Sequence, residues 1–300
     1  MMLVVFLFIL SSDIINDNKS ENINSDNAAA TTQKSNRITF TGRKPLKKVS
    51  FNVSDPGNEK GLSVKKIEHS YGVAKDNKPH QISVDSQKFL ESKGYNAVTY
   101  DTSTDNLIYL TFDCGYENGY TSVVLDILKE KNVRAAFFCT LDQIKSEPEL
   151  IARMINEGHI VGNHSATHPS FDTLNRTQMA KEIEECDNYL RENFGYTSKY
   201  FRFPKGNYSE NSLDLVGSIG FVSVFWSLSY ADWDTDNQKG SSYAFEKITQ
   251  RLHPGAIILL HSVSSDNAGA LGDIVDFARK NGYEFSTLDN LSLNYSKYST

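Results

Sequence analysis

From residue 107 onward, short runs of apolar residues alternate with longer amphipathic stretches, and this alternation constrains the fold more than any other feature of the chain. The apolar runs lie at 107–112, 135–139, 159–162, 200–203, 221–226, 256–260 and 283–287, each of strand length. Between them, 120–131, 147–157, 177–193, 210–219, 243–251 and 268–281 read as helices. In the third of these, Met179, Ile183, Cys186 and Leu190 recur at three- and four-residue spacing, which is one face of a helix. Strand–helix alternation of this kind predicts an α/β fold, a parallel sheet with helices outside it. Seven repeats over about 180 residues suit either a small barrel or an open doubly wound sheet. In both, chemistry belongs at the C-terminal ends of the strands.

The chain ahead of this pattern is different. Met1 to Leu10 is almost wholly apolar, half the roughly 20 residues a membrane span needs, so 1–12 reads as an export signal or a short anchor. That reading places the protein outside the cytoplasm, secreted or held at the membrane by residues 1–10. Residues 13–60 are polar, rich in Asn, Ser and Asp, and read as a disordered spacer. Within it Arg37, Arg43, Lys44, Lys47 and Lys48 form a small basic cluster. Residues 61–105 read as an N-terminal extension that lies against the main domain, 106–292 as that domain and 293–300 as a tail. With 31 Lys and Arg against 37 Asp and Glu, the net charge of −6 argues against a nucleic-acid binder. Three cysteines cannot make a complete disulfide framework, so at least one is free or a ligand.

Reactive side chains fall at five of the strand ends. The first runs into Thr111-Phe112-Asp113-Cys114-Gly115, the third into Asn163-His164-Ser165-Ala166-Thr167-His168, and the fourth into Arg202-Phe203-Pro204-Lys205-Gly206. After the fifth comes Ala231-Asp232-Trp233-Asp234, and the sixth ends in Leu259-Leu260-His261. Five coincidences at equivalent positions point to one shared site. His164 and His168, four apart, can reach one metal ion; Pro169 favours a tight loop there over a continuing helix. The alternative is a pair of hydrogen-bonded loop histidines. Asp113 suits a general base acting on water beside a metal, or else a loop cap, and His261 suits a general acid. Arg202 could hold a carboxylate in its ionised form, or form an ordinary surface ion pair.

The five segments TFDCG, HSATH, RFPKG, ADWD and LLH, in this order, resemble the motifs of the polysaccharide deacetylases, carbohydrate esterase family 4 with its NodB homology domain. The resemblance covers about residues 107–291. It implies a distorted seven-stranded β/α barrel and hydrolysis of an N-acetyl group from a sugar, assisted by a divalent metal such as zinc, cobalt or manganese. By the same resemblance Asp113 is the base, His164 and His168 hold the metal, Arg202 orients Asp113, and His261 protonates the leaving amine. Asp232 then tunes His261, and Trp233 and Leu259 line the acetyl pocket.

There are two departures. Cys114 stands where the family has a second Asp that ligates the metal, so either its thiolate takes that place or it is a small residue at a strand end. Lys205 replaces the usual Tyr and could pair with a substrate carboxylate. Longer strings such as TFDCGYENGY and PGAIILLHSVSSDNAGAL are similar to the delta-lactam-biosynthetic de-N-acetylases of spore-forming bacteria, whose substrate is N-acetylmuramic acid in peptide-free peptidoglycan strands. The alternatives are a deacetylase of N-acetylglucosamine in peptidoglycan or chitin-like glycans, and a glycan-binding domain without catalysis.

Overall fold

A computed structural model describes residues 38–104 and 106–291 of the chain. The expected signal or anchor, the spacer up to residue 37 and the tail at 293–300 lie outside the described residues. The first elements are β1 (Ile67–Glu68), α1 (Gln81–Ser92) and β2 (Ala97–Val98). Then come β3 (Leu107–Cys114), α2 (Thr121–Glu130), β4 (Ala136–Cys139), α3 (Leu141–Ser146), α4 (Pro148–Asn156) and β5 (Ile160–Asn163). They are followed by α5 (Arg176–Phe194), β6 (Tyr200–Phe201), β7 (Asn207–Tyr208), α6 (Glu210–Ser218) and β8 (Val222–Val224). The last are α7 (Ser241–Thr249), β9 (Ile257–His261), α8 (Ser265–Lys280) and β10 (Glu284–Phe285).

All pairings in the main sheet are parallel, and the order along it is β10-β3-β4-β5-β6-β8-β2, with β9 also on β3. Single bridges from Tyr100 to Ala256 and from Leu228 to Ile258 bring the β2–β8 end round to β9. The sheet is thus curled into the distorted barrel that the family resemblance implies, one of the two forms the alternation allows, and the seven expected strands are all present.

β3 is buried on both faces, which is why it reads as an almost continuous apolar run. Alternation along it sends Ile108, Leu110, Phe112 and Cys114 outward, into the apolar layer shared with α2 and α8. Tyr109 joins Phe138, Val224 and Leu259 in the barrel interior, on the same face as Thr111 and Asp113. α5 follows its sequence pattern: Met179, Ile183, Cys186 and Leu190 are buried. A capping box between Asn175 and Gln178 starts it, and left-handed Gly195 (φ 60°) ends it.

Two boundaries need correction. Residues 38–60, expected to be disordered, run along α5 instead. Phe40 and Leu46 donate backbone hydrogen bonds to the carbonyls of Asn193 and Arg191; Val49 and Phe51 donate to the side chains of Asn188 and Glu184. The Phe51 ring packs edge-on against Phe221. The 61–105 stretch does more than pack on the barrel, because β2 is registered against β8 within the sheet.

Candidate active site

All five polar clusters bring a side chain to one cavity of about 740 Å³ at the C-terminal ends of the strands, and Asp113, His164 with His168, Lys205 and His261 line it. Trp233 and Leu259 line it too, from opposite depths: Trp233 is 58% exposed at the rim, Leu259 5% exposed.

Asp113 is the penultimate residue of β3, on its inner face. Its Oδ1 accepts a 2.7 Å hydrogen bond from Nη1 of Arg202, which is fully buried. Arg202 also donates to Thr111 Oγ1 (2.9 Å) and to the carbonyls of Val224 (2.9 Å) and Phe225 (3.3 Å), and its guanidinium lies 4.2 Å from the centre of the Phe138 ring. A surface ion pair is thereby excluded for this arginine. Burial pushes the Asp113 carboxyl up, but Arg202, His164 and His261 together hold it below the usual carboxylate value.

His164 follows β5, and its Nδ1–H donates to the Arg202 carbonyl at 2.9 Å. The proton therefore sits on Nδ1 and leaves the Nε2 lone pair facing Asp113 Oδ2, 3.6 Å away. His168 lies in a tight turn built by left-handed Ser165 (φ 71°) and itself left-handed (φ 57°), not in a helix. Ser165 Oγ accepts from its backbone N–H. The two imidazoles meet edge to face with centroids 4.9 Å apart. Burial, and then the neighbouring His164, bring His168 down to about 4; burial lowers His164 as well. Both rings are neutral near pH 7, the form that binds a metal.

His261 ends β9, in register with Asp113. Its Nδ1–H donates to Asp232 Oδ1 (2.7 Å), and its backbone N–H to Asp232 Oδ2 (2.7 Å). Asn267 Nδ2 donates to the same Oδ2 (2.6 Å), so a fully buried carboxylate is held from three sides. Burial lowers the His261 pKa, but the Asp232 charge and hydrogen bond outweigh it and the net shift is upward. The ring is left with Nε2 to give a proton to the cavity.

Residues 100–224 match the polysaccharide deacetylase family. The peptidoglycan-N-acetylmuramic acid deacetylase PdaA of Bacillus subtilis is 43% identical over 198 residues, covering 66% of this chain and 75% of that one. The chain belongs to the polysaccharide deacetylase family. A peptidoglycan-N-acetylglucosamine deacetylase of Bacillus cereus is 31% identical over 61% of this chain and 67% of its own. Among solved structures, B. subtilis PdaA, described as a family 4 carbohydrate esterase, superposes with a TM-score of 0.72 at 38% identity, covering 77% of this chain and 98% of that chain. A family 4 carbohydrate esterase from Bacillus anthracis gives 0.62 at 37% identity, with 77% and 97% covered.

The protein is accordingly a deacetylase that hydrolyses an amide bond, and deacetylases of this family are in general metal-dependent. The donors present fit an open metal site: two neutral imidazoles, one with a fixed tautomer, beside a carboxylate. Among the described residues no three of His, Cys, Asp and Glu form a complete cage. Of the two readings of Cys114, its position is that of the small residue at a strand end and not that of a ligand directed to the cavity. Cys114 is fully buried on the outer face of β3, in register with Cys139 on β4, and its Sγ contacts Ser262 Oγ at 3.3 Å. Cys139 and Cys186 are core residues.

Sequence reasoning missed several residues of the cavity wall, among them Tyr71, Tyr116, Asp142, Trp226 and Ser229. Trp226 carried a usable signal, since it closes the 221–226 apolar run at a strand's C-terminal end. Tyr71 carried none, because it lies far outside the strand–helix repeat.

Proposed function

We propose that this enzyme removes the acetyl group from N-acetylmuramic acid in peptide-free peptidoglycan strands, outside the cytoplasm, in the chemistry that leads to the muramic-δ-lactam of spore cortex. The observation that carries the substrate is the 43% identity to a muramic acid deacetylase, against 31% to a glucosamine deacetylase. Lys205 supports it: the side chain is exposed and lines the cavity, where a lactyl carboxylate would find a cation. Location outside the cytoplasm rests on the apolar run Met1 to Leu10 and on the place of the substrate itself.

In this reading His164 and His168 hold a divalent cation, most simply zinc given two imidazole donors. When bound, the cation supplies Lewis acidity toward the amide carbonyl and the attacking water. Asp113, kept ionised and oriented by Arg202, takes the proton from that water. His261, held protonated by Asp232, gives a proton to the sugar nitrogen so that it leaves as an amine and not as an amide anion.

Mass spectrometry of glycan strands incubated with pure protein and zinc is the test. Loss of acetyl from muramic acid, with or without ring closure to the lactam, is expected. Acetyl loss confined to glucosamine would establish the second reading, which the B. cereus relative favours.

A further inference from the structure

The segment His69–Tyr71 lies ahead of the family-matched residues 100–224, yet its Tyr71 forms part of the cavity wall. It is held there from both sides. β1 pairs antiparallel with β7, Ile67 opposite Tyr208 and Glu68 opposite Asn207. The backbone N–H of His69 then donates to the Gly206 carbonyl (2.9 Å), and its Nε2–H donates to the Trp226 carbonyl (2.7 Å). The imidazole stacks on Phe225 (centroids 4.8 Å) and meets Trp226 edge-on (4.7 Å). Beyond Tyr71, Ser83 Oγ donates to the Tyr71 carbonyl at 2.6 Å. Gly72 is left-handed (φ 67°) with the His80 ring where a Cβ would stand, so the chain turns away at once.

Tyr71 is therefore a fixed, half-buried aromatic whose ring lies 6.4 Å from that of Trp226, against the same interior cluster as Leu259. The three line the same cavity as the histidines and Asp113 and give it an apolar surface. An aromatic ring immobilised at both flanks binds a ligand without a further ordering cost. The apolar CH face of a pyranose is the natural occupant of such a wall, its hydroxyls turned to the polar side.

We propose that Tyr71 is a substrate-binding residue, its ring packing against the sugar that carries the scissile acetyl group. The proposal rests on the reading of this cavity as the deacetylase site, though not on which sugar is the substrate.

The test uses full-length protein with added zinc and two substrates: peptide-free glycan strands and 4-nitrophenyl acetate, an acetyl ester without a sugar. Tyr71→Ala is expected to lower kcat/KM on the glycan about tenfold, mainly through KM, because a contact made equally in ground and transition states is lost. Ester hydrolysis falls by clearly less than glycan turnover, because the ester has no sugar ring to lose, and Tyr71→Phe keeps glycan kcat/KM within about twofold because the ring remains. Unchanged glycan kinetics in Tyr71→Ala, or equal loss on glycan and ester, would overturn the assignment. So would Tyr71→Phe falling as far as Tyr71→Ala, since the hydroxyl and not the ring would then carry the effect. Mass spectrometry on the unmodified protein identifies the sugar separately. A glucosamine product would defeat the muramic reading and leave the Tyr71 comparison to be made on that substrate.

Discussion

Arg202 Nη1 stands 2.7 Å from Asp113 Oδ1, although the two residues are 89 positions apart in the chain and the guanidinium is wholly buried. Three more of its five N–H groups are used by Thr111, Val224 and Phe225. Stability and catalysis are joined in this pair. The same charge that keeps Asp113 ionised is itself tolerable in the interior only because Asp113 and the carbonyls surround it.

Arg202→Met should therefore cost about 3–5 kcal/mol of stability, the usual result of stranding one member of a buried ion pair. It should abolish turnover as well. Adding Asp113→Asn to Arg202→Met should restore part of the stability and none of the activity. Urea unfolding of the four proteins in the cycle measures the coupling. Simple additivity of the two single substitutions would mean that the pair is not a unit.

The His261–Asp232 pair makes a prediction in pH. A general acid must be protonated, so the high-pH limb of kcat/KM reports loss of the His261 proton in the free enzyme. Burial acts to lower the His261 pKa, and Asp232 more than reverses it, so this limb lies above the ordinary histidine value. In Asp232→Asn the stabilising charge is gone, and burial and Arg202, which lower the pKa, are opposed only by Asp113. The limb then moves toward acid pH, and kcat falls by about a hundredfold or more as the acid is lost at neutral pH. A pH–rate profile of the two proteins decides it, an unmoved high-pH limb being the contrary result.

Much of this was legible before any coordinates. The strands could be read because each is a short apolar run that stops at polar residues, and α5 because its apolar face recurs at helical spacing. The site could be read because those stops fall on one end of the sheet. What escaped depends on partners distant in sequence. Ala97 and Val98 are too few to signal a strand, and become one through β8. The polar 38–60 stretch resembles disorder, yet is ordered by Asn188 and Glu184 on α5. Tyr71 gains its meaning only from Gly206, Trp226 and Ser83. Cys114 is another matter. The two-residue period of a strand puts it on the face opposite Asp113, and that signal lay in the sequence.

From that period follows a direct test of Cys114. Cys114→Ser should leave zinc affinity unchanged and lower stability by about 1–3 kcal/mol, since a hydroxyl replaces a thiol in an apolar layer. His164→Ala and His168→Ala should each weaken zinc binding by at least about tenfold, even where folding is intact. Competition titration with a chromophoric chelator, alongside thermal unfolding, separates the two effects. Parallel loss of zinc in Cys114→Ser would show that the thiol swings to the cavity when metal is present.

Lys205 offers the sharpest discrimination between substrates. It sits in a left-handed turn (φ 59°) between Pro204 and Gly206, with its side chain exposed at the cavity. An exposed ion pair contributes only about 0.2–1 kcal/mol, so the expected effect of Lys205→Ala is a loss of up to about fivefold in kcat/KM on muramic strands. Neutral chito-oligomers, which carry no lactyl carboxylate, should be turned over as before. Salt supplies an independent reading of the same interaction. Raising ionic strength should erode the unmodified enzyme's preference for the charged substrate and leave Lys205→Ala insensitive, because an exposed pair is screened. Equal loss on both substrates, or an identical salt response in the two proteins, would reduce Lys205 to a residue of the turn.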